Sequence, residues 1–211
     1  IGAWLVLGKL VGQDLSVTRA VVMALHHFNT TCLLAVITLT AYFTWGGERV
    51  RLKGQGAVLG ALGVGAFAMV GTIVSGAITA LGDTLFKPTD TFAGLARTMD
   101  PAAHFLERLR IAHPVISTSA TLYLLLGLAF VGTLRKSPQV NSLTRWTTTL
   151  LVLQLGHGAL NVALKAPVYF QIMHLLIADA IWILFVLLCA QALSVKIAPV
   201  IAEGDEEPYT I

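Results

Sequence analysis

Six histidines are the residues of this 211-residue chain best suited to chemistry: His26, His27, His104, His113, His157 and His174. Five of them lie in or at the edge of long apolar runs, where an ionisable side chain is costly and by default marks a functional site. Neutral imidazole is a natural axial ligand for haem iron, and helix bundles build cofactor sites from inward-facing side chains. His26, His113 and His174 are expected in the outer third of three different helices, and so at one common depth. Spacing alone leaves copper, a quinone or a proton relay open. A single intramembrane histidine is also commonly a helix–helix hydrogen bond.

Other polar groups fall near these histidines. Asp179 lies five residues beyond His174, about 7 Å deeper by helical rise. It is expected either to accept a hydrogen bond from Asn161 or Gln154 or to move protons. Arg108 and Arg110 stand just outside the membrane next to His113. They are read either as interfacial anchors or as partners for carboxylates such as haem propionates, which Arg suits well. Asn29, one turn below His26, reads as interhelical glue. Cys32 and Cys189 both fall inside apolar runs and read as small core-packing residues, with neither a disulfide nor a zinc site expected.

The elements that must position these residues follow from composition. Of all residues 56% are hydrophobic and 12% charged, against about 25% charged in a soluble domain; mean hydropathy is +0.79. Uncharged apolar runs cover approximately 20–44, 57–82, 111–134, 146–164 and 166–195, the last broken only by Asp179. About 20 helical residues span the hydrocarbon core, so each run is roughly one crossing long. Runs of this kind satisfy their backbone hydrogen bonds in lipid only as helices. Five transmembrane helices are predicted, which argues against a soluble helical protein. The net charge of +3 and pI near 9.0 suit a membrane protein with basic loops, and no clustering of basic residues points to nucleic acid.

The raw count of basic residues ties between the two sides of these helices, so density decides orientation. The short loops carrying Arg49, Arg51 and Lys53, and Arg135, Lys136 and Arg145, are placed in the cytoplasm. The long 83–110 connection, diluted by Asp83, Asp90, Asp100 and Glu107, is placed outside, with a short amphipathic helix around 102–109. The acidic tail, residues 203–207, is placed in the cytoplasm. Gly60, Gly63, Gly65, Gly71 and Gly76 give the second run a small-residue face that lets helices approach closely, and Gly156 and Gly158 do the same beside His157. The chain opens on a short apolar stretch that reads as the end of a helix begun earlier. A weak internal repeat relates residues 1–10 and 20–44 to 154–164 and 166–195.

Five phrases carry a family resemblance: LHHFNT (25–30), VSGAITALGDTLF (74–86), HFLERLRIAHP (104–114), GALNVALKAPV (158–168) and QIMHLLIAD (171–179). Together they resemble the haem A synthase family of membrane proteins over most of the chain. The resemblance implies eight helices in two similar four-helix halves, each offering a histidine pair to a haem. It also implies oxidation of a haem O methyl group to the formyl of haem A, with haem b as cofactor in the C-terminal half. On it, His113 and His174 match the haem b ligands, His26 matches a ligand of the substrate haem, and His27 and His157 lie outside the pattern. The first two helices of the N-terminal half, and most of the third, have no counterpart in the sequence.

The expectation is thus an all-α polytopic membrane bundle. Residues 1–44 form the end of an N-terminal half, 45–56 a cytoplasmic linker, 57–195 a complete C-terminal four-helix haem-binding half and 196–211 an acidic tail. The expected function is that of a haem A synthase-like oxidoreductase in a bacterial inner membrane, with lipid and a haem substrate as partners. The alternative is a haem-carrying or structural subunit of a respiratory or other electron-transfer complex.

Overall fold

The computed structural model describes residues 1–87 and 89–194, and the acidic tail lies outside them. The helices are α1 (Gly2–Leu7), α2 (Val17–Thr44), α3 (Gly56–Leu85), α4 (Thr91–Met99), α5 (Phe105–Arg108), α6 (Ala112–Leu134), α7 (Pro138–Ala163) and α8 (Val168–Ala192). A 3-10 turn, Leu109–Ile111, joins α5 to α6. Among the described residues there is no strand, only an isolated bridge from Val50 to Ser194.

Four segments, containing α2, α3, α6 and α8, are long and apolar enough to cross a membrane. The fifth expected crossing lies within α7, which has a comparable 26 residues. Its first two turns carry Gln139, Asn141, Ser142, Thr144 and Arg145, so the apolar part starts only at Trp146. Ser137 caps this polar end by accepting from the Val140 N–H, and Pro138 occupies the first turn, where its missing N–H goes unused.

Helices α3, α6, α7 and α8 pack in a ring, and α2 lies against α3 and α8. Where α2 crosses α8, the Trp182 indole N–H donates to the Thr31 carbonyl at 2.9 Å. The close-packed core fills the end of the ring nearer Arg135. There Val58 and Leu62 of α3 meet Leu128 and Val131 of α6, Val140 of α7, and Phe185 and Leu188 of α8. Gly65 allows this contact, because a Cβ there would stand 3.0 Å from Phe185 Cζ and 3.1 Å from Leu124 Cδ2. Arg135 itself is buried; it donates to the Ala192 carbonyl and to Gln55 Oε1, closing the C-terminal end of α8. The apolar outer faces, such as Phe67 at 81% exposure, suit a lipid environment.

The opposite end is covered by the 86–111 connection. The amphipathic helix expected around 102–109 is shorter, only Phe105–Arg108, and α4 precedes it. The cause is a set of local bonds. Asp90 caps α4, and His104 caps α5 in a reciprocal box with Glu107. Arg97 then ties the two helices together by a fork of bonds to both Glu107 oxygens, 3.1 and 3.0 Å.

The internal repeat extends to backbone detail. Residues 2–9 read GAWLVLGK and residues 158–165 read GALNVALK. In each, the seventh N–H returns to the third carbonyl (Gly8 to Trp4, Leu164 to Leu160), both at 2.9 Å. The eighth residue is a non-glycine in the left-handed region, Lys9 at φ 56° and Lys165 at φ 62°. The following N–H closes on the fourth carbonyl of the segment, Leu10 to Leu5 at 2.9 Å and Ala166 to Asn161 at 2.8 Å.

Candidate functional site: a histidine pair in the bundle cavity

Between the packed core and the 86–111 connection, the helix ring opens into a cavity of about 890 Å³. Cofactor and small-molecule sites occupy roughly 300–1,000 Å³. His113 of α6 and His174 of α8 line it, with Arg110, Gln154, Lys165 and His27. The two rings stand across the cavity with centroids 6.4 Å apart and planes at 85°. A metal–imidazole bond is about 2.0 Å, so two rings facing one metal from opposite sides have centroids about 6.3 Å apart. The pair therefore has the separation that one metal between two imidazoles requires.

Each ring is seated against a glycine of the neighbouring helix. A Cβ on Gly76 of α3 would lie 3.0 Å from His113 Cε1, and one on Gly158 of α7 would lie 3.1 Å from His174 Cε1. The Nδ1 atoms are also engaged. His113 Nδ1 is 3.1 Å from Ser75 Oγ, whose hydroxyl donates to the Thr72 carbonyl at 2.9 Å. With that hydroxyl proton used, Nδ1 is the donor toward Oγ, which leaves the Nε2 lone pair for a metal. His174 Nδ1 is 3.4 Å from His157 Nδ1. Gln154 Nε2 donates to the His174 carbonyl at 2.9 Å, fixing the helix turn that carries the ring.

Two imidazoles are too few to hold a bare ion. Among the described residues no group of three or more His, Cys, Asp or Glu side chains gathers as a metal site. A metal that carries its equatorial ligands in a macrocycle needs only two axial donors, which is what haem requires. The donor set, the ring separation and the cavity volume all fit a haem.

The other histidines are placed differently. His26 lies against α1, where a Cβ on Gly2 would be 3.2 Å from its Cε1; its Nδ1 is buried without a hydrogen-bond partner among the described residues. His27 faces the cavity that holds His113 and His174, and interacts electrostatically with Asp179. His104 is used in the capping box of α5 and sits beside Phe86, ring centroids 4.9 Å apart.

Two expectations are corrected, and for Arg108 one of two readings remains, that of an interfacial anchor. Gln154 donates to the His174 backbone rather than to Asp179, because the His174 carbonyl lies within its reach at 2.9 Å. Arg108 turns away to a smaller cleft with Thr98, Phe105 and Leu109, since the 3-10 turn rotates it off the face that Arg110 shares. Arg110 reaches the cavity wall, held by Asp83 and the Phe86 carbonyl. Cys32 is exposed rather than core-packing, and both cysteines are free. Sequence reasoning passed over His157, which touches His174 directly; its setting between Gly156 and Gly158, opposite His174, was the available signal.

The chain is 47% identical over 193 residues to a protein named protoheme IX farnesyltransferase in each of two strains of Thermus thermophilus. The alignment covers 92% of this chain but 32% of those proteins, so the chain spans about a third of the length of the curated relatives it matches. No solved structure matches it. The model of the cytochrome oxidase assembly protein family COX15-CtaA matches residues 1–186. With its apolar helix bundle, the chain thus belongs to that family, the haem A synthase family, as an integral membrane protein related to haem A biosynthesis.

Proposed function

We propose that the chain is the haem b-holding part of a haem A synthase-type membrane oxidoreductase, with His113 and His174 as axial ligands and His26 as a ligand of the substrate haem. The observation that supports this reading is the pair of rings with centroids 6.4 Å apart in one cavity, each with its Nδ1 already engaged. Haem b, held by His113 and His174, would supply one-electron transfer at this site. The protein's part is to hold and surround it. Ser75 fixes the His113 tautomer, Gly76 and Gly158 leave room for the rings, and the core residues Leu124, Leu151 and Ile181 keep the inner wall of the cavity dry. Arg110 and Lys165 at the mouth offer cations to the haem propionates.

The relatives' name describes farnesyl transfer to protohaem IX, and a farnesylated haem is the substrate class that this oxidation would take. The reading therefore places the chain directly after farnesylation. Purified protein analysed as its pyridine haemochrome tests it. The expected result is a protohaem signal at about one per chain for the α3–α8 site. Protein free of haem after production with ample haem supply would overturn the reading.

A further inference from the structure

His157 is left unused by the ligand assignment, and its contact with His174 gives it a task. The His157 and His174 rings are nearly parallel, 18° apart, with centroids 5.6 Å apart and Nδ1 atoms 3.4 Å apart. Imidazoles that face each other nitrogen to nitrogen at this separation have centroids roughly 5.7 Å apart. The rings therefore meet edge to edge, almost in one plane, with Nδ1 aimed at Nδ1. This is hydrogen-bond geometry and not a face-to-face stack. The other side of the arrangement is fixed as well, because the Phe170 ring lies flat on His157, centroids 4.9 Å apart at 19°.

A hydrogen bond between two neutral imidazole nitrogens needs one donor and one acceptor. If His174 Nε2 gives its lone pair to iron, its proton must sit on Nδ1, and His157 Nδ1 must be the acceptor. Donation from Nδ1 makes the ligand more basic. A more basic axial ligand stabilises the ferric over the ferrous state.

The matching N-terminal segment lacks this partner. Ile1 precedes Gly2 where His157 precedes Gly158, and the Nδ1 of His26 is buried without a hydrogen-bond partner among the described residues. The seat against a glycine is common to both segments, whereas the acceptor is particular to α7.

We propose that His157 is a positioning residue that accepts the Nδ1–H of His174, fixes its Nε2 toward the iron and lowers the midpoint potential of the bound haem. The inference rests on the reading of His113 and His174 as haem ligands. It is tested by potentiometric titration of the purified full chain as wild type, His157→Leu and His157→Asn. Leu removes the acceptor, while the Asn Oδ1 stands as far from the backbone as the His Nδ1 and preserves it. His157→Leu is expected to raise the potential, shifting the ferric-to-ferrous preference by about tenfold, or 59 mV for one electron. His157→Asn is expected to stay close to wild type. Loss of haem in His157→Leu with retention in His157→Asn supports the same role. A wild-type potential in His157→Leu, or equal changes in both variants, overturns the proposal while leaving the two ligands in place. A wild-type chain without haem overturns the ligand reading and this proposal together.

Discussion

The α1–α2 and α7–α8 segments carry out the same local plan to different ends. Each carries a glycine that seats a histidine of the following helix, Gly2 for His26 and Gly158 for His174. Each then turns on a left-handed lysine with the same closing bonds. Beyond that they part. His174 shares a cavity with His113 and touches His157, whereas His26 touches α1 and its Nδ1 has no partner among the described residues. The difference separates what makes a histidine available to a metal from what makes it a tuned ligand. A glycine seat supplies room. A second imidazole and an Nδ1 partner supply the pair and its electronic character.

Filling the seats breaks the comparison most sharply. Valine at Gly158 would drive a methyl into the His174 ring, and overpacking of this kind costs about 1–3 kcal/mol. We expect Gly158→Val to weaken haem b retention by about five- to 150-fold, read as haem per protein after detergent washing. Gly2→Val should leave that value unchanged, because it bears only on His26.

The mouth of the cavity gives a smaller effect. Asp83 and Arg110 form a mostly buried pair, with 22% and 11% side-chain exposure. Removing one partner of a fully buried pair costs about 3–5 kcal/mol, and partial exposure lowers this to about 2 kcal/mol. Asp83→Asn should therefore lower the thermal unfolding midpoint in detergent. An unchanged midpoint would show that the pair does not hold the 86–111 connection over the site.

Much of this arrangement is legible in the sequence, but unevenly. The runs behind α2, α3, α6 and α8 are long enough that hydropathy locates them to within a few residues. The pairing of His113 with His174 follows from depth and family motif. The partner of His174 does not, because it depends on the rotation of α7 against α8, and no periodicity records the relative rotation of two apolar helices. The exposure of Cys32 escapes the sequence in the same way, because it depends on which face α2 turns to its neighbours. Helix α4 was missed because nine residues with one cap signal, Asp90, carry too little pattern to stand out in a polar connection.

The smallest expected effect lies in the paired turns. A non-glycine residue in the left-handed region costs about 1–2 kcal/mol. Lys165→Gly should return up to about 1 kcal/mol of stability, less what is lost with the Lys165 Nζ bond to the Thr89 carbonyl. Lys9→Gly should gain at least as much. Opposite signs in the two turns, measured as unfolding midpoints, would show that the repeat is one of sequence without shared strain.

The central claim is that His113 and His174 hold one haem between them. Reduced-minus-oxidised visible spectra of His113→Ala, His174→Ala, the double variant and His26→Ala, each normalised to protein, test it directly. The low-spin haem b signal should vanish in either single variant while the chain still folds and inserts, since the apolar helices do not depend on either ring. The double variant should be little worse than the singles, because the two residues act as one site, and His26→Ala should keep the signal. A normal low-spin haem b spectrum in both His113→Ala and His174→Ala would contradict the account.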